Sequence, residues 1–193
     1  LTFDKIDDMR YGENPHQQAG VYVPAGSEIG FEVLQGKPMS YNNFIDLEGA
    51  WQAASPFDRP AVAIIKHTNP CGLAVGDDLE SAFERALASD PVSAFGSIIA
   101  VNRTVDMALL EAVGKLFVEV FVAPGFTHEA LELLKARKKN CRAVVMGDYD
   151  KTRPQIKTIR GGFLLQSVDD RDVKVEEWRT VTKTQATPTQ MRD

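Results

Sequence analysis

A short apolar run, Ala61-Val62-Ala63-Ile64-Ile65, constrains this chain more than any other feature. Pro60 precedes it, and the polar stretch Lys66-His67-Thr68-Asn69-Pro70-Cys71-Gly72 follows. An uninterrupted apolar run bounded by Pro and Gly reads as a buried strand. It delivers a Lys and a His side by side where the strand leaves the sheet. In open α/β sheets the carboxyl edge is where ligands bind. A lysine at a buried strand end is costly unless something uses its charge.

The rest of the chain alternates around that strand. Residues 1–18 read as polar and irregular. Residues 19–23 and 31–35 read as strands of one hairpin around Pro24 and Gly26. Asn42-Asn43 offers an N-cap, after which Phe44, Leu47, Ala50, Trp51 and Ala54 recur at helical spacing. Asn69-Pro70 is a turn signal. Leu79, Ala82, Phe83, Ala86 and Leu87 give the clearest amphipathic pattern, with Asp77 or Asp78 as cap. Strands are expected over 98–101, 118–123 and 143–146. Asp106 should cap a helix through Leu116, and Thr127 one to about Lys138. Residues 156–160 predict another strand ending at Gly161-Gly162. The segment with Trp178 and Val181 reads as a strand or edge extension. Strand and helix in alternation predict a three-layer α/β/α domain around a largely parallel sheet.

Composition narrows the function classes. The 193 residues suit one domain with at most a small appendage, and 44% apolar content can supply a core. Net charge is −5, with Lys and Arg scattered, which argues against a nucleic-acid groove. One anionic small molecule needs only local positive charge. Cys71 and Cys141 are too few and too far apart for a disulfide scaffold, so a reduced cytosolic chain is the simpler reading. No stretch approaches a membrane span, and nothing resembles a signal peptide.

Several side chains could carry chemistry. Lys66 and His67 pair a cation with a potential base. Adjacent strand residues point to opposite faces, so they share a site only if the strand ends or twists at Lys66. Arg10 supplies a fork of donors suited to phosphate, and Tyr11 a hydroxyl or a stacking face. Gly96, directly before a strand, lets a ligand approach the backbone. Pro70-Cys71 is half of the zinc-deaminase signature P-C-x-x-C, but Ala74 stands where the second Cys belongs, and no H-x-E precedes it. Zinc would have too few ligands. Both cysteines read as inert thiols. His16 reads as structural or pocket-lining and His128 as solvent-facing.

Five blocks in order resemble one known family. They are Arg10-Tyr11-Gly12-Glu13-Asn14-Pro15-His16-Gln17, then Lys66 to Gly72, then Asp90 to Ala100, then Phe121 to Phe126, and Gly161 to Gln166. Together they look like the N-terminal half of the AICAR transformylase region of the bifunctional purine biosynthesis enzymes, whose other activity is IMP cyclohydrolase. The resemblance implies a cytidine-deaminase-like α/β/α sandwich. It implies formyl transfer from 10-formyltetrahydrofolate, a co-substrate, to the amine of AICAR, with no metal or bound cofactor. His67 matches the family's proton acceptor and Lys66 its transition-state stabiliser. Arg10, Tyr11, His67, Gly96 and Glu119 match positions that bind the nucleotide. It further implies a cytoplasmic homodimer.

On this basis residues 1–18 are expected to form an N-terminal segment carrying the first block, residues 19–186 the transformylase subdomain, and residues 187–193 the start of a helix. Leu1 is not an initiator Met, and Thr187-Pro188 opens a helix that has no room to continue. A fragment, inactive alone, is therefore expected. The alternatives are a non-catalytic nucleotide-binding or dimerisation module, a general phosphosugar-binding domain, and a zinc deaminase of related fold.

Overall fold

Alternate residues of the apolar strands face opposite layers of helix, and this alternation organises the core. The structure, a computed structural model, describes residues 2–147, 154–169, 171 and 173–191. The chain divides into two units, Leu1–Tyr149 and Asp150–Asp193. The first begins with strands β1 (Phe3–Met9), β2 (Ala19–Pro24) and β3 (Phe31–Gln35), followed by helix α1 (Tyr41–Ala54). Strands β4 (Ala61–Lys66) and β5 (Asn69–Val75) precede α2 (Leu79–Ser89). Then come β6 (Ser97–Val101), α3 (Met107–Val113), β7 (Val118–Ala123), α4 (His128–Arg137) and β8 (Arg142–Met146).

Six of these strands form one sheet in the order β3-β8-β7-β6-β4-β5. The pairs β6/β7 and β7/β8 are parallel, while β3/β8, β4/β6 and β4/β5 are antiparallel. It follows that β5, β6, β7 and β8 run one way and β3 and β4 the other. Ala63, Ile65, Ile98, Ala100, Val120, Val122 and Val144 pack with Leu47, Ala50, Trp51 and Ala54 of α1. Val62, Ile64, Ile99, Val101, Phe121 and Ala143 pack on the other face with Phe83 of α2, Leu109 of α3 and Leu134 of α4. This is the α/β/α sandwich expected. Fully burying a side chain such as Phe83 or Phe121 contributes about 1.5–3 kcal/mol.

The helix starts follow local rules. Asp78 caps α2 and Thr127 caps α4, both by accepting an amide of the first turn. On α1 the cap is Ser40, two residues before the expected Asn42. Asn43 serves instead as the reciprocal partner in a capping box. Helix α3 stops at Val113, short of Leu116, because Gly114 turns the chain at φ 53°.

Other expectations fail where pairing is non-local. Residues 3–9 are a strand and not irregular: β1 pairs with β2 outside the main sheet, and its polar, exposed side chains hid it. The supposed hairpin of residues 19–35 does not form. A turn does exist, with Ser27 N–H on Pro24 C=O, but β2 pairs with β1 and β3 with β8. Asn69-Pro70 is no turn either, since both residues lie in β5. That strand is a sheet edge, where a proline's missing N–H costs no ladder bond.

The second unit holds an antiparallel hairpin, β9 (Gln155–Ile159) with β10 (Gly162–Gln166). Gly161 makes its turn at φ 79°, so Gly161-Gly162 ends one strand and starts another. Trp178 and Val181 lie in no strand. A 3₁₀ turn occupies Val175–Glu177, and the Trp178 indole donates to Val173 C=O at 3.1 Å. Thr187 begins a single turn in which its hydroxyl accepts from Gln190 N–H and Met191 N–H reaches Thr187 C=O. Among the described residues no helix is long and apolar enough to cross a membrane.

Candidate functional site

Strand β4 ends at Lys66 and β5 begins at Asn69, so His67 and Thr68 form the whole connection. Both are left-handed, at φ 51° and 61°. Two left-handed residues are the mark of a type I′ hairpin turn, which favours Asn-Gly for want of steric cost. Here the side chains are a histidine and a β-branched threonine. The turn is pinned from α1: Asp46 accepts His67 N–H through Oδ2 at 3.1 Å and Thr68 N–H through Oδ1 at 2.7 Å. The Thr68 hydroxyl and the Asn69 amide both donate to His67 C=O, at 2.7 and 2.8 Å. His67 therefore stands on a turn, exposed at the tip of the hairpin, and strand alternation no longer separates it from Lys66.

Lys66 is half-buried. Its Nζ donates to Phe95 C=O at 2.6 Å, which sets the ammonium beside Gly96. Gly96 has φ +77° and donates its N–H to Phe117 C=O at 2.7 Å. A Cβ there would lie in ordinary contact with the Phe117 ring, so the backbone conformation, not space, calls for glycine. The rings of Phe95 and Phe117 lie 5.2 Å apart and are substantially exposed. The loop before Gly96 is tied by Asp90, which accepts Ser93 N–H at 2.9 Å. Hydrogen bonds from Ser93 hold the Asp90 carboxyl below its ordinary pKa.

Glu119 lies on β7, and Arg142 engages it. The Arg142 guanidinium is buried and donates Nη1 to Glu119, Nε to Lys37 C=O at 3.0 Å and Nη2 to Pro38 C=O at 2.7 Å. One arginine thus binds β7, β8 and the link from β3 to α1. The sequence singled out Glu119 but not Arg142, because nothing local marks a strand-initial arginine as buried. Nearby, Lys138 donates Nζ to Leu116 C=O at 2.6 Å, and burial lowers its pKa.

Arg10 and Tyr11 lie beyond β1, outside the main sheet. The Arg10 guanidinium is 5.8 Å from the Tyr11 ring centre, within cation–π range. The following loop closes on itself: Gly12 N–H reaches Gln17 C=O at 3.0 Å, and Asn14 N–H reaches Gln17 Oε1 at 2.7 Å. Asn42 of α1 extends its amide to Glu13 C=O at 3.5 Å. Asn42 and Asp46 are four residues apart on one helix face. Helix α1 therefore touches the loop of the first block and the His67 turn together. No hydrogen bond among the described residues joins Arg10 or Tyr11 to Lys66, His67, Gly96 or Glu119 directly.

The edge that collects these groups is not the one expected. Lys66 is at the carboxyl end of β4, but β4 runs against the parallel core. Ile65 pairs with Ile98 at the start of β6, and Ser97 with Val118 at the start of β7. Lys66, Gly96, Glu119 and Arg142 consequently gather at the amino ends of β6, β7 and β8. The doubly-wound rule, which puts ligands at carboxyl ends, does not apply to a strand inserted antiparallel.

Cys71 is half-buried on β5, its thiol pKa raised by burial first and by Asp90 second, with Lys66 opposing. Cys141 is buried and its thiol is pushed up to about 12. Both environments suppress the thiolate.

Fold and site together define an α/β/α sandwich protein with a mixed sheet and its cations, left-handed turn and glycine-led strand start on one sheet edge. The chain belongs to the AICARFT/IMPCHase bienzyme family, whose model matches residues 1–193. At the level of the family this is an enzyme of purine biosynthesis, of the AICAR formyltransferase and IMP cyclohydrolase type.

Proposed function

We propose that this chain carries the amine-activating part of the formyltransferase site. The observation that carries the proposal is the Lys66 Nζ to Phe95 C=O hydrogen bond, at the sheet edge that also bears the His67 turn and Gly96. The amine of AICAR attacks the formyl carbon of 10-formyltetrahydrofolate. His67 accepts the proton that the amine loses. Lys66 stabilises the oxyanion that forms on the formyl oxygen. Collapse of this tetrahedral species breaks the bond to the folate N10, which takes up the proton held by His67 and leaves as tetrahydrofolate, and the formylated nucleotide remains.

Arg10, Tyr11, Gly96 and Glu119 hold the nucleotide. The Arg10 guanidinium takes the phosphate, and the left-handed backbone at Gly96 leaves room for close approach. The Arg142 pairing restrains Glu119 and leaves its second carboxylate oxygen for a ligand donor. The complete protein acts as a cytoplasmic homodimer with folate as co-substrate, and its second activity is IMP cyclohydrolase. The exposed Phe163, Leu164 and Leu165 of β10 support an association surface.

The test is His67→Ala in the full-length protein, assayed with AICAR and 10-formyltetrahydrofolate. Formyl transfer should fall by at least about 10²-fold, as for a lost general base. Near-normal turnover would remove His67 from the mechanism.

A further inference from the structure

We infer that Asp46 is a positioning residue for His67: its carboxylate holds the two-residue turn that carries the imidazole in a left-handed conformation. The inference rests on the role proposed for His67. Among the described residues, His67 and Thr68 are the two non-glycine positions with positive φ, and they are consecutive. A β-branched residue such as Thr68 is a steric outlier there, so the surroundings must impose the conformation. The turn's own sequence lacks the Asn-Gly or Asp-Gly that adopts it freely.

What imposes it is visible. Both amides of the turn point at one carboxylate, with separate oxygens accepting His67 N–H at 3.1 Å and Thr68 N–H at 2.7 Å. Hydrogen bonds to an ionised acceptor are about twice as strong as neutral ones. Asp46 can act as a fixed anchor because α1 is fixed. Its neighbours Leu47, Ala50 and Trp51 are buried against the sheet. The carboxylate comes from a different element, twenty-one residues before His67, so it sets the turn against the body of the domain. Among the described residues the His67 imidazole has no hydrogen-bond partner, so the backbone of the turn is what aims it. Asp46 touches amides and not the ring, which makes it a positioning residue.

Three variants of the full-length protein test this: Asp46→Ala, Asp46→Asn and the double variant Asp46→Ala/Thr68→Gly, with Thr68→Gly as reference. Asp46→Ala should lower kcat by about ten- to a hundredfold, the scale of a small misplacement of a reacting group, with KM for AICAR changed less than about threefold. Asp46→Asn, which keeps one acceptor oxygen, should fall between wild type and Asp46→Ala. It also carries the test if Asp46→Ala does not fold. Glycine adopts positive φ without cost, so Thr68→Gly in the Asp46→Ala background should restore most of the lost kcat. A substrate-binding or general structural role for Asp46 would show no such rescue, and absence of rescue would overturn the inference.

A second readout does not depend on catalysis. In ¹H–¹⁵N spectra, the His67 and Thr68 amides should be among the resonances most shifted by Asp46→Asn. Unmoved amides would overturn the anchoring by themselves. A wild-type protein without formyl transfer would instead overturn the proposed function, while the amide shifts still decide whether Asp46 holds the turn.

Discussion

Lys66 is tethered by its ammonium to the main chain of Phe95, 2.6 Å from the carbonyl oxygen and one residue before Gly96. The tether orders a flexible four-carbon stem before any ligand arrives, which is how a transition-state charge avoids reorganisation. Lys66→Met keeps the stem and removes the charge. It should lower kcat for formyl transfer by about 10²–10³-fold, on the scale of a lost oxyanion donor. Unchanged kcat in steady-state assays would mean that Lys66 only packs.

Arg10 is exposed and leans toward the Tyr11 ring, so its guanidinium has donors to spare for an anion. Charge-assisted bonds to phosphate would make its contribution specific to the charged ligand. Arg10→Ala should raise the Kd for AICAR by about tenfold or more, yet change that for the dephosphorylated nucleoside little. Calorimetric titration of both ligands checks this. Equal losses would show that Arg10 does not read the phosphate.

Gly72 closes the motif for a reason of packing. A Cβ there would sit 1.9 Å from the Ala86 carbonyl oxygen, because α2 lies directly on the backbone of β5. Gly72→Ala should destabilise the chain by at least about 1–3 kcal/mol, as overpacking does. Gly49 on α1 has open space around it, and Gly49→Ala should stabilise by up to about 1 kcal/mol through helix propensity. Urea denaturation of the two variants should move the midpoint in opposite directions.

Asp78 supplies a pH test. Hydrogen bonding with Ser81, whose amide donates to Asp78 Oδ1 at 2.8 Å, lowers the carboxyl pKa from its ordinary 3.8. A depressed pKa means that the folded chain resists protonation. The stabilising contribution is then fully present above the ordinary value and disappears as pH falls through the folded one. Asp78→Ala should therefore lower Tm at pH 7, and the deficit relative to wild type should shrink as pH approaches 3. A deficit that stays constant down to pH 3 would assign the effect to something other than the ionised cap.

The sequence revealed what is local and concealed what is not. Helices α2 and α4 were legible because a cap precedes an apolar stripe, with Asp78 before Leu79, Ala82 and Phe83, and Thr127 before Ala130 and Leu134. Strands β4, β6 and β7 were legible as apolar runs covered on both faces. Strand β5 was missed, since its Asn69-Pro70 start carries turn residues and the actual turn, His67-Thr68, does not. The partners of β2 and β3 could not be read, because register is set by strands far along the chain. Of the candidate site, the sequence singled out Lys66, His67 and Gly96, and the structure places them at one sheet edge. Asp46 and Arg142 were not singled out: each acts across a long sequence separation, and neither lies in a pattern that marks it.

The insertion of β4 against the parallel strands has an electrostatic consequence. Helices α2, α3 and α4 each lead into the start of a parallel strand, so all three deliver their carboxyl ends to the edge where Lys66 lies. Those ends carry partial negative charge. An anion at this edge therefore meets an unfavourable field from three of the four α-helices among the described residues, and of these only α1, entering from antiparallel β3, points its amino end that way. A phosphate here meets the kind of main-chain amides that α/β proteins usually offer at a strand's carboxyl end only at α1, where the Ser40 hydroxyl already takes the Asn43 amide. Its charge must be balanced by side chains, and in a chain of net charge −5 the few cations that reach this edge become disproportionately valuable.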